Sequence, residues 1–312
     1  MANVADFTSK LEAANTGYSD TIDAIGDVFP GTFNLFSEDV GAPNGEKVNI
    51  GYTEDLGQVR VMYPGQSRMF DGMRAFGAEY EVEEIYTAHT LSRMRVDYDS
   101  SERIARGLKR AAQRGADIVE TKLWETLAAN TKVGVDGVAL ISTSHSSGAL
   151  TQSNLTTTAL GHVSYRAGKA AMRNLVRENL QPYNMMPTHL FVPPGLEDVA
   201  LEVTGANRAF SINNTGTEAT SSVVATTTIE NVYQGDTTVV VTPRMTAGTW
   251  LLFDLSKPGV RPWAHSFGKM PQPLMPDPHD ESVKKLAMLE YILSGDIAQG
   301  PAHWQSAYGK IA

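Results

Sequence analysis

The sequence predicts a protein of the α+β class in which a β-arm, one long helix and an α/β unit follow one another. Three observations predict it. Residues 48–98 alternate apolar and polar side chains and are repeatedly interrupted by glycine. Residues 100–130 carry apolar side chains at three- and four-residue steps, which indicates a helix. Beyond residue 135, strand-like and helix-like segments alternate, which is typical of an α/β unit.

The arm at residues 48–98 has the periodicity of a half-buried strand but no apolar core of its own. Val48 and Ile50 alternate with polar residues, and so do Val59 and Val61. An isolated hairpin is marginally stable in water, and its open edges invite pairing with another chain. We therefore expect an assembly protein whose arm is buried against another copy of the same chain.

Charges in the arm are segregated. Between residues 58 and 76 three bases stand against the single acid Asp71: Arg60, Arg68 and Arg74. Residues 77–86 contain four acids and no base: Glu79, Glu81, Glu83 and Glu84. A basic tip and an acidic root fit head-to-tail docking between copies, a contact that closes into rings. The alternative is a solvated hairpin whose charges face water.

The long helix is predicted over residues 100–130. Asp99 with Glu102 resembles a capping box, and no proline follows until after residue 130. Its apolar stripe consists of Ile104, Leu108, Ala111, Ala112, Val119, Leu123 and Leu127. At ~1.5 Å per residue this helix would span roughly 45 Å.

A second stripe of the same helix, nearly opposite the first, is basic: Arg103, Arg106, Arg110 and Arg114. It could face nucleic acid or an acidic neighbour. From the stripe geometry alone, a solvated face is the favoured interpretation.

Composition excludes several classes of protein. The 312 residues can hold one large or two medium domains, and the net charge of −9 with a pI near 5.3 argues against wrapping DNA with the whole surface. The absence of cysteine excludes disulfides and cysteine metal sites. The N-terminus lacks the order of a signal peptide, and no apolar run approaches the ~18 residues of a membrane span. A cytosolic product is expected.

Beyond the helix, the pattern predicts a buried strand at 137–142 and a helix at 164–180 whose inward residues are Ala167, Ala171, Leu175 and Val176. A strand at 189–193, a helix at 196–203 and a long exposed loop at 204–228 come next. The remaining predicted elements are strands at 229–242 and 250–255, an extended proline-rich connector at 271–278 and a buried strand at 286–293.

Three short motifs occur in order after the arm and the helix: ISTSH at 141–145, THLFVPP at 188–194 and HWQSAYG at 303–309. With this order of elements the chain resembles the major capsid proteins of tailed phages, which have the Hong Kong 97-like fold, and among them the Mu-like major head subunit group. The resemblance covers nearly the whole chain.

The resemblance implies an N-terminal arm at residues 1–47, an extension loop at 48–98, a peripheral domain with its spine helix at 99–134, an axial domain at 135–264 and a return to the peripheral domain at 265–312. The loop at 204–228 would lie near a symmetry axis. The implied function is that of a major capsid protein that assembles into hexamers and pentamers of an icosahedral shell.

The implied partners are other copies of the chain, a separate scaffold, a portal, decoration proteins and weakly bound double-stranded DNA. No membrane partner and no cofactor are expected. The protein would be made in the cytoplasm of a bacterial host and reside in the virion. An initiator Met1 close to the arm favours the separate scaffold.

One departure from the family pattern concerns the joining of subunits. The type phage of this fold bonds a lysine of the extension loop to an asparagine of a neighbour, whereas residues 48–98 contain no lysine. We therefore expect a non-covalent shell.

Enzyme motifs are missing or incomplete. Ser144 beside His145 suggests a nucleophile next to a base, but adjacent side chains in a strand point to opposite faces. Glycine-rich phosphate loops, the G-x-S-x-G elbow and H-E-x-x-H are absent. His265 and His279 are interpreted as surface histidines. We predict no catalytic, cofactor-binding or metal-binding residue, with a hydrolase and a tail tube or sheath protein as the alternatives.

Overall fold

The computed structural model describes residues 7–16, 32–43, 45–53, 75–97, 117–147, 150–177, 180–205, 208–211, 227–286 and 288–311. The chain divides into two compact units. Unit 1 consists of Met1–Asn49, Glu79–Glu125 and Ala264–Gln299, and unit 2 consists of Ile50–Ala78, Thr126–Trp263 and Gly300–Ala312. Each unit therefore combines segments that are far apart in sequence.

The described residues contain both helices and strands, in agreement with the predicted α+β class. The helices are α1 (7–16), α2 (Phe33–Phe36), α3 (Arg93–Asp97), α4 (Ile118–Ala129), α5 (His162–Asn174), α6 (Glu197–Thr204) and α7 (Glu281–Lys285). The first seven strands are β1 (Ser37–Asp39), β2 (Lys47–Thr53), β3 (Ala75–Glu81), β4 (Glu83–Ser92), β5 (His145–Ser147), β6 (Leu150–Gln152) and β7 (His189–Val192). The others are β8 (Arg208–Ser211), β9 (Thr227–Glu230), β10 (Thr238–Val241), β11 (Trp250–Phe253), β12 (Trp263–Leu274), β13 (Met288–Pro301) and β14 (Ala307–Lys310).

Unit 1 is built on a sheet with the strand order β1-β12-β13-β4. β13 and β4 run antiparallel from the pair Met288↔Ser92 to the pair Ile297↔Glu83. Leu289 and Tyr291 are buried, whereas the side chain of Met288, the first residue of β13, is half exposed. The strand predicted at 286–293 is confirmed from Met288 onward, but it is buried on one face only, because successive side chains of a strand point to opposite faces.

The N-terminal helix α1 contributes to the core of unit 1. This core consists of Phe7, Leu11, Ala14, Val96, Val283, Leu289 and Tyr291. The side chain of Asn15 fixes the end of α1, since its Nδ2 donates to the carbonyl of Pro276 and its Oδ1 accepts from the hydroxyl of Tyr291, both at 2.8 Å. The predicted N-terminal arm at 1–47 thus contains a helix that is packed within its own chain.

His265 lies inside unit 1, so its interpretation as a surface histidine is wrong. It is 4% exposed, and its Nδ1 lies 2.6 Å from Oγ of Ser37. Burial lowers the pKa of His265, and the carboxylate of Asp39 acts in the opposite direction. The pairing of β12 with β1 places the hydroxyl of Ser37 next to the ring of His265. His279 is exposed as predicted and lies 3.0 Å from Glu12.

Unit 2 is built on a sheet with the order β10-β7-β11-β14. β7 runs parallel to β10 and antiparallel to β11, and β11 is antiparallel to β14. Leu190, Phe191 and Val192 are all fully buried. Both faces of β7 are therefore covered, which explains why its sequence is continuously apolar. The predicted strands at 189–193 and 250–255 are confirmed.

Helices α5 and α6 pack on one face of this sheet. Their shared core includes Tyr165, Met172, Leu190, Val192, Ala200, Val203, Trp250, Leu252 and Tyr308. α5 contacts β14, and α6 contacts β10 and β7 at the opposite edge. The short helix predicted at 196–203 is confirmed as α6.

α5 ends earlier than predicted. The predicted helix at 164–180 stops at Asn174, because the next residues form an antiparallel bridge between Val176 and Pro182. Leu175 is buried as predicted, but Ala167 is exposed. The buried positions of α5 are Ser164, Tyr165, Gly168 and Met172.

The predicted strand at 137–142 is not formed, although Leu140 and Ile141 are buried. Two asparagine side chains take the place of a neighbouring strand. Asn130 accepts from the N–H of Ile141 and donates to its carbonyl, and Asn154 does the same for Ser142 and Leu140. The backbone polar groups are thereby satisfied without a sheet.

Three further predictions are corrected. Parts of the predicted loop at 204–228 are regular, because α6 continues to Thr204 and β8 pairs with β9; residues 212–226 lie outside the described residues. The predicted strand at 229–242 is divided into β9 and β10 by a turn at Asn231, whose Oδ1 accepts from the N–H of Tyr233. Pro271 and Pro273 belong to β12 and not to a connector.

The long helix is described only in its C-terminal part. α4 confirms a helix at 118–129, and Val119, Leu123 and Leu127 are buried as the apolar stripe predicts. Residues 98–116 lie outside the described residues. The predicted arm at 48–98 ends differently from the prediction, because α3 forms at its C-terminal end and buries Val96.

We predict that Gly309→Ala destabilises the protein by about 1–3 kcal/mol, the usual cost of overpacking. A Cβ at Gly309 would overlap the carbonyl oxygen of Trp250 in the neighbouring strand. The measurement is thermal or denaturant unfolding of the purified protein. Gly195→Ala is the matched control, because a Cβ there meets no atom within 4 Å. Equal stability of the two variants would contradict this packing.

We predict that the wild-type protein loses unfolding free energy as the pH falls below the ordinary histidine pKa of about 6.5. Burial lowers the pKa of His265 and likewise of His189 and His303. A lowered pKa means that the unfolded chain binds more protons in this pH range, so acid favours unfolding. His265→Gln, measured from neutral pH to about pH 5, should show a shallower loss, and an unchanged slope would contradict the burial of a neutral His265.

Candidate assembly interface

The β-arm is a ribbon of two strands, β2 and β3. Within the described ranges these strands pair only with each other. At the base of the ribbon, Val48, Ile50 and Tyr80 are buried. The base of the arm is thus buried within its own chain and not only against another copy, since the period-two pattern places Val48 and Ile50 on one covered face. Val59, Val61 and Tyr63 lie outside the described residues.

The acidic root of the arm is partly neutralised by its own chain. Glu79 lies 3.2 Å from Lys47, and Glu83 lies 3.1 Å from Lys122. Both pairs are solvent-accessible, so each contributes at most about 1 kcal/mol. Glu81 and Glu84 lack an ion pair in the described part of the chain. The acidic charge available to a neighbour is therefore concentrated on these two residues.

The basic residues predicted to meet these acids are not described. Arg60, Arg68 and Arg74 lie outside the described residues, and so do Arg103, Arg106, Arg110 and Arg114 of the predicted helix stripe. Docking of the arm and the direction in which the stripe faces remain predictions.

The three sequence motifs converge in unit 2. THLFVPP supplies β7, and HWQSAYG supplies β14, which are both paired with β11. ISTSH joins them through a ring stack, since the imidazole of His145 lies 4.1 Å from the ring of Trp304 at an interplanar angle of 3°. The three motifs are thus separate segments of the sequence that pack together in one structure.

His145 is held by polar side chains on both ring nitrogens. Its Nδ1 lies 2.6 Å from Oδ2 of Asp136, and its Nε2 lies 3.1 Å from Oδ1 of Asn154. The amide of Asn154 is fixed in turn, since its Nδ2 donates to the carbonyls of Leu140 and Trp304. Sequence reasoning missed Asp136 and Asn154, because a polar residue in a loop gives no sign of burial until its partners are known.

Ser144 and His145 therefore do not form an accessible nucleophile–base pair. His145 has no exposed surface, and its nitrogens face Asp136 and Asn154. Ser144 is exposed, and its backbone N–H and hydroxyl both contact the hydroxyl of Ser142 at 3.3 Å. The hydrolase alternative therefore loses the only residues that suggested it.

The described residues contain neither a candidate membrane span nor a candidate metal site. None of the helices there combines the length and apolar character that a membrane crossing demands. Within the same ranges, histidine, aspartate and glutamate side chains do not form a group of three that could hold a metal ion.

The ribbon has strand edges that are open within the described residues, which invites pairing with another chain. Sequence comparison shows the family. Residues 78–287, more than half of the chain, match the family model described as phage capsid protein. The chain belongs to the phage capsid protein family. No curated protein matches it significantly.

Solved capsid structures share the fold. The capsid protein of bacteriophage JBD30 is 14% identical, with a TM-score of 0.57 over 69% of this chain and 91% of that one. The mature capsid of bacteriophage PhiM1 gives 12% identity and a TM-score of 0.56 over 91% and 87% of the two chains. The capsid of the native GTA particle gives 11% sequence identity and a TM-score of 0.54 over 89% of each chain.

These findings confirm the Hong Kong 97-like fold and the prediction of a phage major capsid protein. The family and the fold are those of a structural protein. The Mu-like subgroup stays a prediction.

We predict that His145→Phe destabilises the protein by about 1–3 kcal/mol, the usual cost of leaving a buried polar group without its hydrogen-bond partner. Phenylalanine can keep the stack on Trp304 but leaves the carboxylate of Asp136 without its partner. Denaturant unfolding measures the effect. The control, Ser144→Ala, should stay within about 0.5 kcal/mol of wild type, and a His145→Phe protein of wild-type stability would refute the role assigned to this pair.

Proposed function

We propose that the protein assembles as hexamers and pentamers into an icosahedral shell, in which each arm docks onto a neighbouring copy. The observation that carries this proposal is the β2–β3 ribbon, whose strands pair with no third strand among the described residues. Open strand edges and exposed acids at Glu81 and Glu84 supply backbone hydrogen bonds and charge to a second chain.

The division into two units supports the proposed domain layout. Unit 1 would be the peripheral domain, since it holds the first part of α4 and most of the long strands β12 and β13. Unit 2 would contain the axial domain, since it holds Thr126–Trp263, although it also includes Ile50–Ala78 of the proposed extension loop. The layouts differ at the C-terminus, where residues 300–312 belong to unit 2 and supply β14.

The shell is proposed to be non-covalent. Residues 48–98 contain no lysine, and the preceding Lys47 is engaged with Glu79 at the first residue of β2. An amide cross-link needs a free amine, so the arm is proposed to hold its neighbour by strand contacts and by charge.

The shell is proposed to enclose double-stranded DNA within the virion, after synthesis in the cytoplasm of a bacterial host. A net charge of −9 disfavours tight binding of the packaged polyanion. A scaffold, a portal and decoration proteins are the further proposed partners. One of the similar structures is described as decorated with minor capsid protein trimers, which supports a decoration partner for this chain as well.

We predict that Arg60, Arg68 and Arg74 changed together to Glu give a folded protein that fails to assemble. Each exposed pair is worth less than about 1 kcal/mol, but its repetition around a ring multiplies the loss. Sedimentation velocity measures assembly, and circular dichroism verifies the fold.

The matched control carries the same change in net charge on exposed residues of unit 1, with Arg95, Lys269 and Lys285 changed to Glu. It should form particles at the wild-type concentration. Normal particles from the arm variant would refute docking through the basic tip. A wild-type chain that forms neither rings nor closed shells at any concentration would refute the proposed function itself.

A further inference from the structure

Two helix surfaces at opposite edges of unit 2 carry opposite charge. α5 lies over β14, and α6 lies over β10 and β7, at the other edge of the same sheet. Both helices bury one face in the common core, so both present their other face outward.

The outward face of α5 is basic. It consists of Val163, Arg166, Ala167, Ala170 and Arg173. Arg166 and Arg173 are two turns apart, about 10.5 Å along one side of the helix. They have no ion pair within the described residues, whereas Lys169 of the same helix lies 2.5 Å from both carboxylate oxygens of Asp236. Two arginines of α5 are therefore available to a partner.

The outward face of α6 is acidic. It consists of Glu197, Asp198, Leu201 and Glu202, and the helix contains no base. None of its three carboxylates is ion-paired in the part of the chain that is described. Asp198 and Glu202 are four residues apart on this face, about 6 Å along the helix axis.

Each charged face also exposes an apolar side chain. Val163 is 72% exposed on α5, and Leu201 is 47% exposed on α6. Apolar side chains flanked by charge are the composition of a modest protein contact with a polar rim.

We propose that α5 of one copy docks against α6 of the next copy in a head-to-tail contact. Arg166 and Arg173 would face Asp198 and Glu202, while Val163 and Leu201 cover each other. This inference rests on the proposed function, since it names a contact that joins subunits within a ring. Two different surfaces at opposite edges of one unit give a heterologous contact, which closes into a ring when the rotation permits.

A second copy fits the basic face better than DNA does. DNA presents one negative charge per about 1.7 Å of axis. The outward face of α5 offers only two arginines, with Ala167 and Ala170 between them. DNA would also leave the acidic α6 without a partner. A copy of the same chain satisfies both faces at once.

The test is a charge exchange. Arg166→Glu with Arg173→Glu, and separately Asp198→Lys with Glu202→Lys, should each raise the protein concentration at which particles form by about tenfold, because two exposed pairs in every contact become repulsive. The two variants combined restore opposite charges across the contact and should assemble at close to the wild-type concentration. Sedimentation velocity measures particle formation, and circular dichroism verifies folding.

The control, Arg95→Glu with Lys269→Glu, changes the net charge as much as the α5 variant does and should assemble normally. If the wild type forms shells but the combined variant fails to recover, or the single-face variants assemble normally, the inference is refuted while the proposed function stands. Normal shells from the α5 variant with reduced DNA content would assign the face to DNA and would equally refute it. If the wild type forms no shell, the proposed function fails first.

Discussion

The ladder between β11 and β14 is the interaction on which the rest of unit 2 depends. It places the C-terminal motif HWQSAYG beside β11, which lies some 50 residues earlier in the chain. The paired residues run from Phe253↔Ala307 to Trp250↔Lys310. Tyr308 then presents its ring to α5, where a Cβ on Gly168 would lie 2.8 Å from that ring. Trp304, just before β14, receives the stack of His145. Removing β14 would therefore uncover the helix and the buried polar cluster together.

Local sequence patterns correctly predicted the helices and strands whose burial depends on their own segment alone. The run at 189–193, the buried stripe of α4 and the short helix α6 follow from periodicity, because each buries one continuous set of side chains. The apolar run at 137–142 was mispredicted, because Asn130 and Asn154 bind its backbone from outside the segment. No local pattern could announce these partners, and the same is true of the Asp136–His145–Asn154 cluster.

The surfaces proposed to join copies share one physical character. Glu81 and Glu84 at the arm and the outward residues of α5 and α6 are exposed and carry charge, and their individual contacts are weak. A shell repeats each contact many times, so weak pairs suffice for a stable particle while single contacts stay reversible. The fold supplies rigid positions for these surfaces: the buried cores define where α5 and α6 lie, and the paired strands define the base of the arm.

The contacts that close the shell are proposed to lie between copies of this chain. Electron cryomicroscopy of the purified wild-type protein, concentrated at low salt, tests this proposal most directly. We predict closed particles with five- and six-fold rings of subunits, in which unit 2 of one copy contacts unit 2 of the next. Dispersed monomers at every concentration, or open tubes, would contradict it.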